Sequence, residues 1–257
     1  MSLFLRTTAL MLLMLSRAPA FASIPTVNDS ENECSTKQNQ VCSKAFRHNL
    51  SGLYGIQSTQ YSAIQPYNDF DVLYSKAHQA QAELETICKS ASMQTNTQAL
   101  FAGVKSKQRA EQKIALELEG NVDRITDLAR ATLVANDLEG LMSAYEVLER
   151  ETRVVKVKNR FKKPAESGYR DLKLLVQLPA TGLIAEVQLH LKAIADVKSG
   201  PEHKLYEQIQ HIERIAINEG RSMTDWEVSR VKSMRQQSRQ LYQDAWQPYI
   251  TTHLQAA

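Results

Sequence analysis

Cysteine is scarce in this 257-residue chain. Cys34, Cys42 and Cys88 form no CxxC pair and show no Cys/His spacing that would hold zinc. In an oxidising compartment Cys34 and Cys42 could close a small loop, which leaves Cys88 unpaired. Long apolar runs are also missing. None reaches the roughly 20 residues that cross a hydrocarbon core, so a stable membrane span is not expected. Charge of one sign is barely in excess, 31 basic side chains against 28 acidic ones giving +3. That excludes bulk binding to nucleic acid or an anionic membrane by counterion release, and any basic site must be local. Neither GxxxxGK[ST] nor GxGxxG occurs, so a bound phosphate would have to be held by side chains. No repeat with a period of roughly 20 to 50 residues is visible.

Hydrophobic residues make up 43% of the chain, enough for a substantial core. Residues 1–22 carry Arg6, an apolar run from Ala9 to Leu15, and Ala20-Phe21-Ala22 in the pattern of a signal-peptidase site. The pattern predicts export to the periplasm, with the mature chain beginning at Ser23. Residues 23–68 are polar and aperiodic and read as a loosely ordered lead-in. Leu73, Ala77, Ala80, Leu84 and Ile87 then recur at helical spacing, as do Leu138, Leu141, Met142, Tyr145 and Leu148. A helix is expected between them, from about Lys105 to Glu119, with Gly120 suited to a left-handed cap. Strands are expected over 127–135 and 153–161, and YRDLKLLVQLP and LIAEVQLHL should form a hairpin about Ala180-Thr181-Gly182. After Gly200-Pro201 the chain reads as helical, with Trp226, Val231, Met234, Leu241, Tyr242 and Ala245 on one buried stripe. This order predicts an α+β fold with a mostly antiparallel sheet.

Within the hairpin, pairing Leu178 with Leu183 also pairs Leu174 with Val187 and Val176 with Ala185 on an apolar face. The same register sets Lys173 opposite Gln188, Asp171 opposite His190 and Leu175 opposite Glu186, and Tyr169 extends the polar face. Glu186, Gln188 and His190 thus form a row with about 7 Å between neighbours. Such a face is often simply solvated. A basic stripe, Lys105, Arg109 and Lys113 at four-residue spacing, suits a triphosphate but by itself is more often a solvated helix face, and Glu111, Glu117 and Glu119 temper its charge.

Five segments in order, GVKSKQRAEQK, ITDLARATLV, RFKKPAESGYRDLKL, AEVQLHL and EHKLYEQ, resemble the synthetase domain of the RelA/SpoT family of alarmone synthetases, most nearly its small RelV type. The resemblance spans roughly residues 100–210. It implies a nucleotidyltransferase-like synthetase domain over 69–215, followed by a helical extension over 216–257. It further implies transfer of pyrophosphate from ATP to the 3′-hydroxyl of GDP or GTP. Lys105, Arg109, Lys113 and Arg130 would bind ATP, Asp127 and Glu186 would be catalytic and hold Mg2+, and Tyr169, Lys173 and Gln188 would bind the acceptor. The family's small members suggest a homotetramer. No His-Asp dipeptide of the family's hydrolase domain is present. Departures from the family pattern are Gly103 in place of a common arginine, Arg109 in place of a helix serine, and His190 where ExQxR ends in arginine. The export pattern conflicts with the cytosolic supply of ATP and GTP, which keeps two alternatives open. One is an exported toxin-like pyrophosphotransferase acting on adenine nucleotides, and the other a noncatalytic exported binding protein of the same fold.

Overall fold

Apolar periodicity places the first long helix, and its ends are fixed by side chains. A computed structural model describes residues 48–59 and 63–254, with side chains to residue 251. Helix α1 is Leu50–Gly55, and α2 runs from Phe70 to Thr95. Asp69 caps α2 by accepting from the Val72 N–H, and Asn96 ends it in the left-handed conformation. Its buried stripe is Leu73, Ala77, Ala80, Leu84, Cys88 and Ala91, so Cys88 is a free core thiol whose pKa burial pushes up to about 12. Cys34 and Cys42 lie outside the described residues, as does the expected leader.

Strand β1 (Gln98–Phe101) precedes α3 (Lys107–Glu117) and β2 (Arg130–Ala135). Helix α3 is shorter than expected, starting after the Ser106 cap; Glu119 and Gly120 both turn off in left-handed conformations. Then come α4 (Leu138–Glu151), β3 (Arg153–Asn159), β4 (Leu172–Gln177) and β5 (Ile184–Leu191). Helices α5 (Lys192–Ser199), α6 (Pro201–Asn218) and α7 (Asp225–Leu254) complete the chain. The sheet order is β1-β2-β5-β4-β3, with only β2 and β5 parallel. This is the expected α+β class. The hairpin register is as derived, Leu174 opposite Val187, Lys173 opposite Gln188 and Leu175 opposite Glu186. Glu83 of α2 caps its turn by accepting from the N–H groups of Ala180 and Thr181.

Helices α2 and α4 pack on the apolar side of the sheet, where Ala185, Val187, Leu189 and Leu191 are buried. The stretch read as a loose lead-in is built into the fold from His48 onward. Leu53 is in the core, and Asn159 at the end of β3 donates to its carbonyl (2.7 Å). Buried Gln65 ties the start of β5 to the segment before β2, donating to the carbonyls of Ile125 and Ile184 and accepting from the Ile184 N–H. At the other end, Tyr242 and Trp246 of α7 enter the main core. Trp226, expected on the buried stripe, is instead 66% exposed and has Arg230 over its ring. Val231 and Met234 close a small second core against Ile209 of α6. Among the described residues no helix is long and apolar enough to cross a membrane.

Candidate active site

Asp127 sits in the turn before β2, as it must if it and Arg130 are to serve one site. Lys105 precedes α3, and its backbone is pinned to that turn: its N–H donates to the Leu128 carbonyl (2.9 Å), and its own carbonyl accepts from Tyr74 (3.2 Å). Lys113 arrives from the second turn of α3. Both ammoniums fall on one oxygen of Asp127, Oδ2, at 2.9 and 2.8 Å. The other, Oδ1, is buried without a hydrogen-bond partner. Burial alone would raise the Asp127 carboxyl, but the bonds and charges of Lys113 and Lys105 hold it below its ordinary value. Arg109 stands exposed one turn before Lys113 and joins no such contact.

Parallel pairing of β2 with β5 places Arg130 directly beside Glu186, and the Glu186 N–H donates to the Ala129 carbonyl (3.0 Å). Gln81 of α2 holds the Arg130 backbone through both its N–H and its carbonyl. The Arg130 Nε, like Asp127 Oδ1, is buried and unpartnered. Glu186 is ion-paired to Lys173 of β4 and accepts from Gln188 Nε2 (2.8 Å). Gln188 accepts in turn from Lys198 of α5 (3.1 Å). The polar row is therefore no wet face: Glu186 is 8% exposed and His190 2%.

Beyond the row, Asp171 binds Arg160 through Oδ1 (2.5 Å) and the Tyr169 hydroxyl through Oδ2 (2.9 Å). Tyr169 also meets His190 Nε2 at 2.6 Å. An ionised Asp171 can only accept, so the phenol proton points to it and His190 carries its own proton on Nε2. Burial, followed by the charges of Lys198 and Arg160, lowers the His190 pKa to about 3. Burial and the Asp171 charge raise that of Tyr169. Sequence spacing foresaw Asp171 and His190 on this face but not Arg160 or Lys198, which reach it from outside the hairpin.

Tyr169, Lys173, Gln188, His190, Lys198 and Glu202 line a cavity of about 830 Å³, floored by β1, β2, β4 and β5 and walled by α5 and α6. The segment carrying Tyr169 is fastened to α7. Gly168 has φ +85°, and a Cβ there would lie 3.2 Å from the Arg239 Cα. Arg239 donates to the Glu166 carbonyl (3.0 Å), and Tyr242 packs edge-on against Tyr169. The neighbouring surface is basic: Lys158 lies directly opposite Lys173, and its pKa is lowered by Arg160 first, then by burial and Lys173. Like charges so placed repel one another unless an anion joins them.

Magnesium is usually held by one or two carboxylates, with phosphate oxygens and waters completing the shell. Asp127, with its unpartnered buried oxygen, and Glu186 fit that donor set. Among the described residues no group of three or more His, Cys, Asp or Glu side chains could hold a metal without such outside oxygens.

No protein-family model matches the chain, and neither does any curated protein. Solved structures do. Small alarmone synthetase 2 from Bacillus subtilis aligns with a TM-score of 0.55 at 20% identity, over 72% of this chain and 96% of that one. The Type VI effector Tas1, solved with its immunity protein, gives 0.52 at 22% identity over 69% and 96%. Small alarmone synthetase 1 from Bacillus subtilis, bound to its product pppGpp, gives 0.51 at 16% over 73% and 98%. The chain has the fold of the small alarmone synthetases.

Proposed function

We propose that this chain moves the terminal pyrophosphoryl group of ATP onto the 3′-hydroxyl of GDP or GTP, making an alarmone without hydrolysing it. The observation that carries the reading is the pair of buried, lysine-clamped carboxylates, Asp127 and Glu186, at the same end of two adjacent parallel strands and beside the Tyr169 cavity. The likeness to small alarmone synthetases supports it at the level of fold.

In this reading Lys105, Lys113 and Arg130 turn from their present contacts to the donor's phosphates, where fixed cations stabilise the charge that builds during transfer. Tyr169 stacks on the acceptor base, and Lys173 and Gln188 orient Glu186. The 3′-oxygen forms a bond to the β-phosphorus of ATP as the bond from that phosphorus to the α,β-bridging oxygen breaks. AMP leaves, and the hydroxyl proton passes to Glu186. Magnesium, held by Asp127 and Glu186, would supply further charge neutralisation on the polyphosphate.

A second reading, an exported toxin-like enzyme with an adenine nucleotide as acceptor, is supported by the export-type leader; the likeness to a Type VI effector supports only the shared fold. One experiment separates these readings. The purified chain is incubated with magnesium, ATP labelled at its terminal phosphates, and GDP, GTP or ADP in turn. Label on GDP and GTP supports the alarmone reading, label on ADP alone supports the second, and label on none overturns both in favour of a binding protein.

A further inference from the structure

Two cations lining the cavity, Arg160 and Lys198, have no part in the transfer chemistry, and Arg160 is already bound to Asp171. Lys198 comes from the last turn of α5, and its Nζ lies over the Tyr169 ring, 5.4 Å from the centroid, while donating to Gln188 Oε1; the Arg160 guanidinium lies over the same ring at 5.6 Å. Burial lowers the Lys198 pKa, and the carboxylates of Asp171, Glu186 and Glu202 work against that shift. Glu202, at the start of α6, lines the same cavity, is 6% exposed, and accepts from Tyr242 through Oε2 (3.0 Å). Helices α5 and α6 are joined only by Gly200, so the ammonium and the carboxylate are held to one wall.

A purine stacked off-centre on Tyr169, clear of the ammonium that overhangs the ring, would turn an edge toward Lys198. Guanine and hypoxanthine present two adjacent acceptors there, O6 and N7, whereas adenine presents N7 beside an amino group that can only donate. An ammonium likewise only donates, so opposite adenine it faces a second donor in a buried site and loses a partner. We propose that Lys198 reads the acceptor base and selects a 6-oxopurine over a 6-aminopurine. This rests on the reading that the cavity takes the acceptor nucleotide. Glu202 faces the same base from the carboxylate side and would reward the N1–H that both 6-oxopurines carry.

The test is calorimetric binding of GDP, IDP and ADP, without ATP, to the chain and to Lys198→Met and Lys198→Arg, each first checked for an unchanged thermal transition. The chain should bind GDP and IDP at least about 10-fold more tightly than ADP, the scale of one well-placed polar contact to a base. Lys198→Met should reduce that ratio at least about 10-fold, and Lys198→Arg, which keeps a donor, should restore most of it. IDP binding as weakly as ADP would place the discrimination at the 2-amino group and overturn the role of Lys198. So would an unchanged ratio in Lys198→Met, or equal binding of GDP and ADP by the unaltered chain. Should Lys198→Met fail to fold, the ranking of the three nucleotides and the arginine variant still decide. Binding with this ranking but without transfer of label from ATP refutes the proposed reaction and leaves Lys198 as the base reader. Equal transfer to GDP and ADP does the reverse, and binding of none refutes both.

Discussion

Asp127 and Asp171 are both buried carboxylates with cationic partners, yet they are wired differently. Asp171 is 0% exposed and satisfied on both oxygens, by Arg160 on one and Tyr169 on the other. Asp127 has two lysines crowded on Oδ2 and nothing on Oδ1. A buried polar atom without a partner costs roughly 1–3 kcal/mol and persists in a native fold only for a reason. The difference separates a carboxylate that holds a wall in place from one arranged for a ligand. It also shows why a cation count alone would misjudge them.

Breaking the satisfied network should have the largest effect, and on stability. Asp171→Asn removes the charge facing Arg160 while keeping the side chain's size. It should lower the unfolding free energy by about 3 kcal/mol, the low end for a broken buried pair, because Arg160 keeps 20% of its side chain in solvent. Urea denaturation measures this; a loss under about 0.5 kcal/mol would mean the network is not structural. The two lysine-clamped carboxylates should show their main effect on activity instead. Glu186→Gln, and Asp127→Asn beside it, should reduce pyrophosphoryl transfer by at least about 100-fold, measured well below each variant's unfolding midpoint because both changes also take a charge away from partly buried lysines. Transfer within threefold of the original in both variants would remove them from the chemistry.

Tyr169 belongs to both worlds, since its hydroxyl is tied to the network and its ring faces the cavity. Tyr169→Phe should cost about 1 kcal/mol of stability through the lost hydrogen bonds, and leave the acceptor KM close to its original value. Tyr169→Leu should raise the acceptor KM at least about 10-fold and spare the KM for ATP, because stacking on a base is worth about 1–3 kcal/mol. Equal effects of the two variants on the acceptor KM would deny the ring a separate role.

The same contrast marks where sequence reasoning reached and where it stopped. Register in the hairpin was legible because strand parity and a short turn are local, and one pairing served both faces. The basic stripe was half legible. Lys105 and Lys113 do converge, but on Asp127 and from two different elements, while Arg109 stays exposed and outside that contact. Missed altogether were β1, whose four residues are too few to show a period, and the core role of Trp246. The burial of Glu186 and His190 was unreadable for a related reason. Alternation tells which side chains share a face, but what covers that face is decided by how α5 and α6 fold back after β5, and by the segment that Arg239 of α7 fastens through the Glu166 carbonyl, none of which a local period reveals.

The smallest expected effect tests how completely the Asp171 network shuts out solvent. An ordinary histidine titrates near 6.5, whereas His190, buried with Lys198 and Arg160 nearby and hydrogen-bonded to Tyr169, is held to about 3. The unfolded chain therefore binds a proton at this position that the folded chain refuses. Between the two values the unfolded state carries more protons, so stability rises with pH. The contribution is full above about 6.5 and is lost as pH falls toward the folded value. Between pH 7.5 and 6.0 this single group should withdraw about 0.8 kcal/mol of unfolding free energy. Asp and Glu side chains near their ordinary pKa values hardly titrate in that window, and the other histidines are common to both proteins when the chain is compared with His190→Gln. The variant should lose about 0.8 kcal/mol less than the unaltered chain over the same interval, measured by urea denaturation at each pH. Identical pH dependence would mean that His190 takes up its proton in the folded state, and that water reaches the polar row which the Asp171 network is argued to seal.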